Sequence, residues 1–121
     1  MSKRILVVDD SASVRQVEQM VLSGAGYDVL EAQDGKDALR KLGDNPVALV
    51  LTDLNMPLLD GVGLIQQLRQ HPAHRLTPIV MITTESSDEK KQAGRAAGAT
   101  GWIVKPFTPP QLLAVVKKVL G

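Results

Sequence analysis

The chain has 121 residues, with 14 Lys+Arg against 13 Asp+Glu, no Cys, two His and one each of Trp, Tyr and Phe. That length fits one domain that buries about two-thirds of its unfolded surface; the lack of Cys excludes disulfides, thiolate metal sites and thiol nucleophiles, and two His are too few for a His-rich zinc site. A net charge of +1 excludes a polycation that coats nucleic acid, and Tyr27, Trp102 and Phe107 are too few for a base-stacking platform.

Short β-branched runs alternate with helical stretches. Ile5–Val8 reads as a first strand. A helix runs from Ser11 or Ala12 to about Ser23, with Val14, Val17 and Val21 on one face, and Gly24 and Gly26 end it. Tyr27–Glu31 is a second strand. Asp34 caps a second helix carrying Ala38, Leu39 and Leu42, closed by Gly43. Val47–Thr52 is a third strand, and Gly61–His71 a third helix with Leu64, Ile65 and Leu68 inward. Pro78–Thr83 is a fourth strand.

Ser86 and Glu89 have capping-box spacing and start a fourth helix. Its apolar face is only Ala93, Ala96 and Ala97, and Gly94 sits inside it, so it is expected to be the least stable helix. Trp102–Val104 is a fifth strand. Thr108 caps the last helix, with Pro109 at its first position and Leu112, Leu113, Val116, Val119 and Leu120 as its buried stripe. His71 and His74 flank a helix end and a proline and read as exposed structural residues.

Strands apolar on both faces, each followed by a helix, predict an α/β fold with a doubly wound, five-stranded parallel sheet and five helices. A closed barrel of eight units needs about 250 residues. Residues 1–121 read as a single domain. No apolar run approaches the ~18 residues of a membrane span, and the N-terminal run stops at Asp9, so a cytoplasmic chain that does not insert into membranes is expected. No acid follows Glu89, whereas Lys90, Lys91, Arg95, Lys105, Lys117 and Lys118 do, which suggests a docking surface for an acidic partner.

Open parallel sheets place their sites at the carboxyl ends of the strands. There the first strand ends in Asp9-Asp10, the third in Thr52-Asp53, the fourth in Thr83-Thr84 and the fifth in Lys105-Pro106. A single Asp at a strand end is an ordinary turn residue. Three that converge with a Lys repel one another unless a cation joins them. Carboxylates, a carbonyl and water suit Mg²⁺, and the ammonium of Lys105 suits an incoming phosphoryl group. The chain has no P-loop and no nucleophile elbow. A flavodoxin-like phosphate site is disfavoured, because Asp9-Asp10 repels a bare phosphate.

Val-Val-Asp9-Asp10, Thr52-Asp53-Leu-Asn55-Met-Pro57-Leu-Leu-Asp60-Gly61, Ile82-Thr83 and Val104-Lys105-Pro106-Phe107 resemble the signature of two-component response-regulator receiver domains along the whole chain. Within that family the chain is most similar to the stand-alone chemotaxis regulators. The resemblance implies a flavodoxin-like sheet of order 2-1-3-4-5; such regulators are themselves examples of the carboxyl-end rule.

It also implies the roles of individual residues. Asp53 is the phosphoacceptor. Asp10 and Asp53 bind Mg²⁺ directly with the backbone carbonyl of Asn55, and Asp9 acts through a water. Thr83 and Lys105 hold the phosphoryl group, and the Lys105–Pro106 peptide is cis. Pro57 and Gly61 shape the loop after the acceptor. Asn55 and Glu85 tune the phosphoryl lifetime, and Thr83 and Trp102 form the switch. Trp102 departs from the usual Tyr or Phe, lacking the phenol's donor geometry; Thr84 stands where Ala is common.

The implied phosphodonor is a sensor histidine kinase. Output then comes from docking of an acidic, amphipathic partner on the face made by the fourth helix, fifth strand and fifth helix, with a flagellar motor switch as the first expectation and a relay outside chemotaxis as the second. The chain is expected to be a monomer, a signalling protein and not an enzyme. The alternatives are a Mg²⁺-dependent phosphohydrolase with an Asp nucleophile, and an interaction module that never uses phosphate.

Overall fold

The computed structural model describes residues 3–121. Strands and helices alternate as β1 (Arg4–Val8), α1 (Ala12–Gly24), β2 (Asp28–Ala32), α2 (Gly35–Leu42), β3 (Leu49–Thr52), α3 (Gly61–Gln70), β4 (Ile79–Thr83), α4 (Asp88–Ala97), β5 (Gly101–Val104) and α5 (Pro109–Leu120). The strands form one parallel sheet in the order β2-β1-β3-β4-β5, as expected.

The pairing register explains why the strands read as unbroken apolar runs. Ile5 lies beside Leu49 and Val7 beside Leu51, while Leu6 lies beside Val50 and Val8 beside Thr52. Successive side chains leave opposite faces of a strand. Ile5, Val7, Leu49 and Leu51 therefore pack with Leu22 of α1 and with Leu112 and Val116 of α5. Leu6, Val8, Val50 and Met81 pack on the other face with Ala38 and Leu42 of α2 and Leu64, Ile65 and Leu68 of α3. Each central strand is thus buried on both sides. Ser11, Asp34, Asp60 and Thr108 cap their helices by accepting a backbone N–H three residues on, and Gln111 completes a capping box with Thr108.

Several elements depart from expectation. The strand starts move by one or two residues, and α3 stops at Gln70. Pro78 has no N–H to give the ladder, although its carbonyl accepts from Val50 N at 3.0 Å. On α1 the inward residues are Glu18 and Leu22, and Val17 is 48% exposed. The inward stripe steps by four from Val14, so it passes through an acid that an apolar pattern does not credit to the core. The cap of α4 is Ser87, not Ser86; its hydroxyl accepts from Lys90 N at 3.3 Å. Ala93 and Ala96 of α4 are exposed and Gly94 is the buried residue.

His74 is also buried rather than exposed. Its Nε2–H donates to the Gly43 carbonyl at 2.8 Å, since a carbonyl only accepts. The ring packs 4.5 Å from that of His71, and its Nδ1 has no partner. His71 Nε2 lies 3.2 Å from Asp44, and its Nδ1 accepts from Ala73 N. Both imidazoles tie the α3–β4 connection to the end of α2, so their role is structural, as expected.

Candidate functional site: an acidic cluster bridged by a lysine

Because the strands run parallel, Asp9, Asp53, Thr83 and Lys105 all emerge at one edge of the sheet. The backbone sets the two central acids. Asp9 N donates to the Ala32 carbonyl at 3.1 Å, and Asp53 N donates to the Val8 carbonyl at 2.9 Å. Each carboxylate then divides its oxygens. Asp9 Oδ1 accepts from Ser11 N at 2.9 Å, and Asp53 Oδ1 accepts from Leu54 N at 2.7 Å. The Lys105 ammonium bridges the remaining oxygens, donating to Asp9 Oδ2 at 2.6 Å and to Asp53 Oδ2 at 3.2 Å. Asp10 is exposed at the rim, and oxygens of Asp9, Asp10 and Asp53 lie within 4.8 Å of one another.

The electrostatics follow from burial. Asp9 is 1% exposed, and its pKa is raised: desolvation outweighs the bonds from Lys105 and Ser11, and the charge of Asp53 adds to the rise. Burial alone lowers the pKa of Lys105, but its contacts with Asp9 and Asp53 together outweigh that, and the net shift is upward. One ammonium therefore faces a surplus of acid. Three carboxylates with an exposed member form a hard-oxygen donor set, which suits a small divalent cation.

The loop after Asp53 folds back onto it. Gly61 N donates to the Leu54 carbonyl at 2.8 Å, and a Cβ added at Gly61 falls 2.4 Å from the Asp53 carbonyl oxygen. Gly61 therefore shapes this loop by close approach, and no other residue fits. Thr52 Oγ1 donates to the same Asp53 carbonyl at 2.9 Å. Asn55 is exposed in this loop, and Pro57 accepts from Leu59 N at 2.7 Å. The Lys105–Pro106 peptide is cis.

Thr83 is fully buried at the end of β4, and its Oγ1 accepts from Glu85 N at 3.3 Å. Trp102 is half-buried on β5, and its Nε1–H donates to the Glu85 carbonyl at 2.8 Å. The indole therefore donates from its ring nitrogen, in a geometry different from a phenol's. Thr84 is exposed beside a groove lined by Ser13, Val14, Val17, Lys105, Pro106 and Phe107. Lys91 and Arg95 of α4 border one cleft beside Trp102, and Lys118 of α5 borders another.

Two residues of the site escaped the sequence reading. Arg15 Nη1 donates to the Asp9 carbonyl, and its Nε lies 3.4 Å from Glu31 Oε1, which ties the Asp9-Asp10 turn to β2. Glu18 is 2% exposed beneath the cluster. Desolvation pushes its pKa up to about 8, with further contributions from the charges of Asp9 and Asp53. An Arg and a Glu on a helix give no signal of facing inward.

The geometry has close parallels. The response regulator receiver domain model matches residues 5–117. The chain is 42% identical to chemotaxis protein CheY1 of Helicobacter pylori over 120 residues, covering 98% of this chain and 97% of that protein. It is also 42% identical over 118 residues to a probable transcriptional regulator, ycf27, of Porphyridium aerugineum, covering 98% of this chain but only 48% of that protein. The chain therefore spans about half the length of that regulator. A crystal structure of Vibrio cholerae chemotaxis protein CheY4 superposes with a TM-score of 0.95 at 44% identity, covering 99% of this chain and all of that one. With the fold, the whole length of the domain and the sequence in agreement, the chain belongs to the response regulator receiver family, whose members are signalling proteins of two-component systems.

Proposed function

We propose that residues 1–121 act as one phosphorylation-dependent switch, with Asp53 as the acceptor. The observation that carries this reading is the Lys105 ammonium bridging Asp53 and Asp9 within a three-carboxylate cluster. Asp53 Oδ2 attacks the phosphorus of a phosphohistidine on a sensor kinase. The new O–P bond forms as the P–N bond breaks, and the electron pair leaves on the imidazole nitrogen, which takes up a proton. Lys105 follows the charge from the carboxylate to the phosphoryl oxygens, and the Thr83 hydroxyl donates to one of them. Asp10, Asp53 and the Asn55 carbonyl would hold Mg²⁺, with Asp9 helping through a water, and the ion would supply positive charge to the phosphoryl oxygens. Asn55 and Glu85 border the path of the water that later hydrolyses the acyl phosphate, and so set its lifetime.

Thr83 then exchanges its Glu85 N–H for the phosphoryl group. Trp102, bonded to the carbonyl of the same residue, shifts between two packings. The face formed by α4, β5 and α5, with Lys90, Lys91, Lys117 and Lys118, receives an acidic, amphipathic output partner. Relatives of the same length named for chemotaxis favour that pathway, in which the output partner would be a flagellar motor switch.

The test is Trp102 fluorescence titrated with Mg²⁺ and then with beryllofluoride, a phosphoryl mimic. Two successive responses are expected. Absence of any metal response in fluorescence or calorimetry removes the cation site, and with it the acceptor mechanism.

Arg15→Met gives a second expectation. Loss of the clamp on the Asp9 carbonyl weakens Mg²⁺ binding by roughly tenfold, as for other groups that hold metal ligands in place. Calorimetry checks this, and an unchanged affinity denies Arg15 its positioning role.

A further inference from the structure

Trp102 is held at both ends, and one of its supports is the lack of a side chain. A Cβ built on Gly94 falls 2.7 Å from Trp102 Cζ3, 3.5 Å from Cε3 and 3.7 Å from Cη2. The six-membered ring therefore occupies the space that any other residue at position 94 would fill. At its other end Nε1 donates to the Glu85 carbonyl at 2.8 Å, and the Glu85 N–H donates to Thr83 Oγ1 at 3.3 Å. The indole lies between a bare stretch of helix and a loop residue whose N–H touches the buried threonine.

A glycine in the middle of α4 is costly to the helix, because glycine gives up more backbone freedom than alanine. It stands four residues from the C-terminal cap, Gly98, and is the buried residue of its helix, while Ala93 and Ala96 beside it are exposed. Small residues are thus present on this helix at positions that do not need them. Position 94, which faces the ring, is the one where even a methyl group does not fit.

We propose that Gly94 is a positioning residue that seats Trp102 and thereby fixes the resting position of the indole. A side chain at 94 lifts the ring from the helix and breaks its bond to Glu85. The consequence for signalling rests on the reading of Trp102 as part of the switch; the seat itself does not.

The experiment is Gly94→Ala in the full chain, read by emission and acrylamide quenching of the lone tryptophan without ligands, together with thermal unfolding. Helix propensity alone predicts a higher melting temperature and an unchanged spectrum. The seat predicts red-shifted emission, increased quenching and no such gain in melting temperature. An unchanged spectrum with a higher melting temperature overturns the proposal. The same alanine in a Trp102→Leu background restores the propensity gain if the ring is the obstacle, and this arm holds even where Gly94→Ala alone folds poorly. No gain in that background overturns the proposal. Beryllofluoride separates the two readings. An indole released by Gly94→Ala in a protein whose wild type ignores beryllofluoride leaves the seat standing and removes the switch. A wild type that responds, beside a Gly94→Ala spectrum identical to its own, removes the seat and keeps the switch.

Discussion

A chain carrying Asp53→Asn is expected to take up no phosphoryl label from acetyl phosphate or from a phosphorylated kinase, and the wild type is expected to be labelled stoichiometrically on that residue. Three acids crowd the site, and their surroundings separate them. Asp9 is almost fully buried, which keeps an incoming phosphodonor from its oxygens. Asp10 lies at the exposed rim, and no bond from Lys105 reaches it. Asp53 is 9% exposed, has Oδ1 fixed by the Leu54 N–H and presents Oδ2 to the lysine. An amide there keeps the shape and the acceptor for Leu54 N–H but removes the charge and the nucleophilic oxygen. It also removes one repulsion from Asp9, which offsets the bond that Lys105 loses, so the melting temperature should change little. Loss of label by at least 100-fold without loss of fold is the expected pattern, read by phosphate counting and peptide mapping. Label that persists in Asp53→Asn and maps to Asp9 or Asp10 moves the acceptor. Repeated turnover of a small phosphoester by the wild type points instead to a hydrolase.

The architecture was legible because two periods agree. Runs such as Ile5–Val8 and Leu49–Thr52 are apolar at every position, as strands covered on both faces must be, and the capping residues Asp34 and Thr108 mark their helices directly. The acids and Lys105 were legible for a topological reason: a parallel sheet sends every strand end to one edge, so order along the chain already implies proximity. What stayed hidden depends on which way a helix is rolled. Glu18 follows Val17 by one residue, and a small rotation of α1 decides which of them faces the sheet. Ser86 and Ser87 offer the same oxygen one residue apart, and only the geometry selects Ser87. Gly94 looked like a defect in a weak helix until the indole packed against it. The bond from Trp102 to the Glu85 carbonyl joins residues 17 positions apart and has no local signal.

Glu18 carries the other large expected effect, and it is one of stability with a definite sign. Desolvation under the cluster raises its pKa from 4.5 to about 8, helped by the charges of Asp9 and Asp53 and opposed by those of Lys105 and Arg15. Unfolding restores the ordinary value. Between these two pKa values the folded state holds a proton that the unfolded state has lost, so stability falls as pH rises, by about 1.4 kcal/mol per pH unit. The penalty is small below pH 4.5 and levels off above pH 8. Glu18→Gln retains the shape and removes the titration. The variant should gain roughly 3 kcal/mol over the wild type at pH 7 and about 4 kcal/mol at pH 8, but less than about 1 kcal/mol at pH 5. Denaturant unfolding of both proteins at these three pH values, in the presence of a chelator, measures the difference. Asp9 titrates in both proteins, so its contribution largely cancels between them. A gain independent of pH means that the carboxyl ionises alike in the folded and unfolded chains, and that its burial beneath the site costs nothing in charge. A gain that grows with pH places a neutral acid beneath the cluster of Asp9, Asp53 and Lys105 at physiological pH.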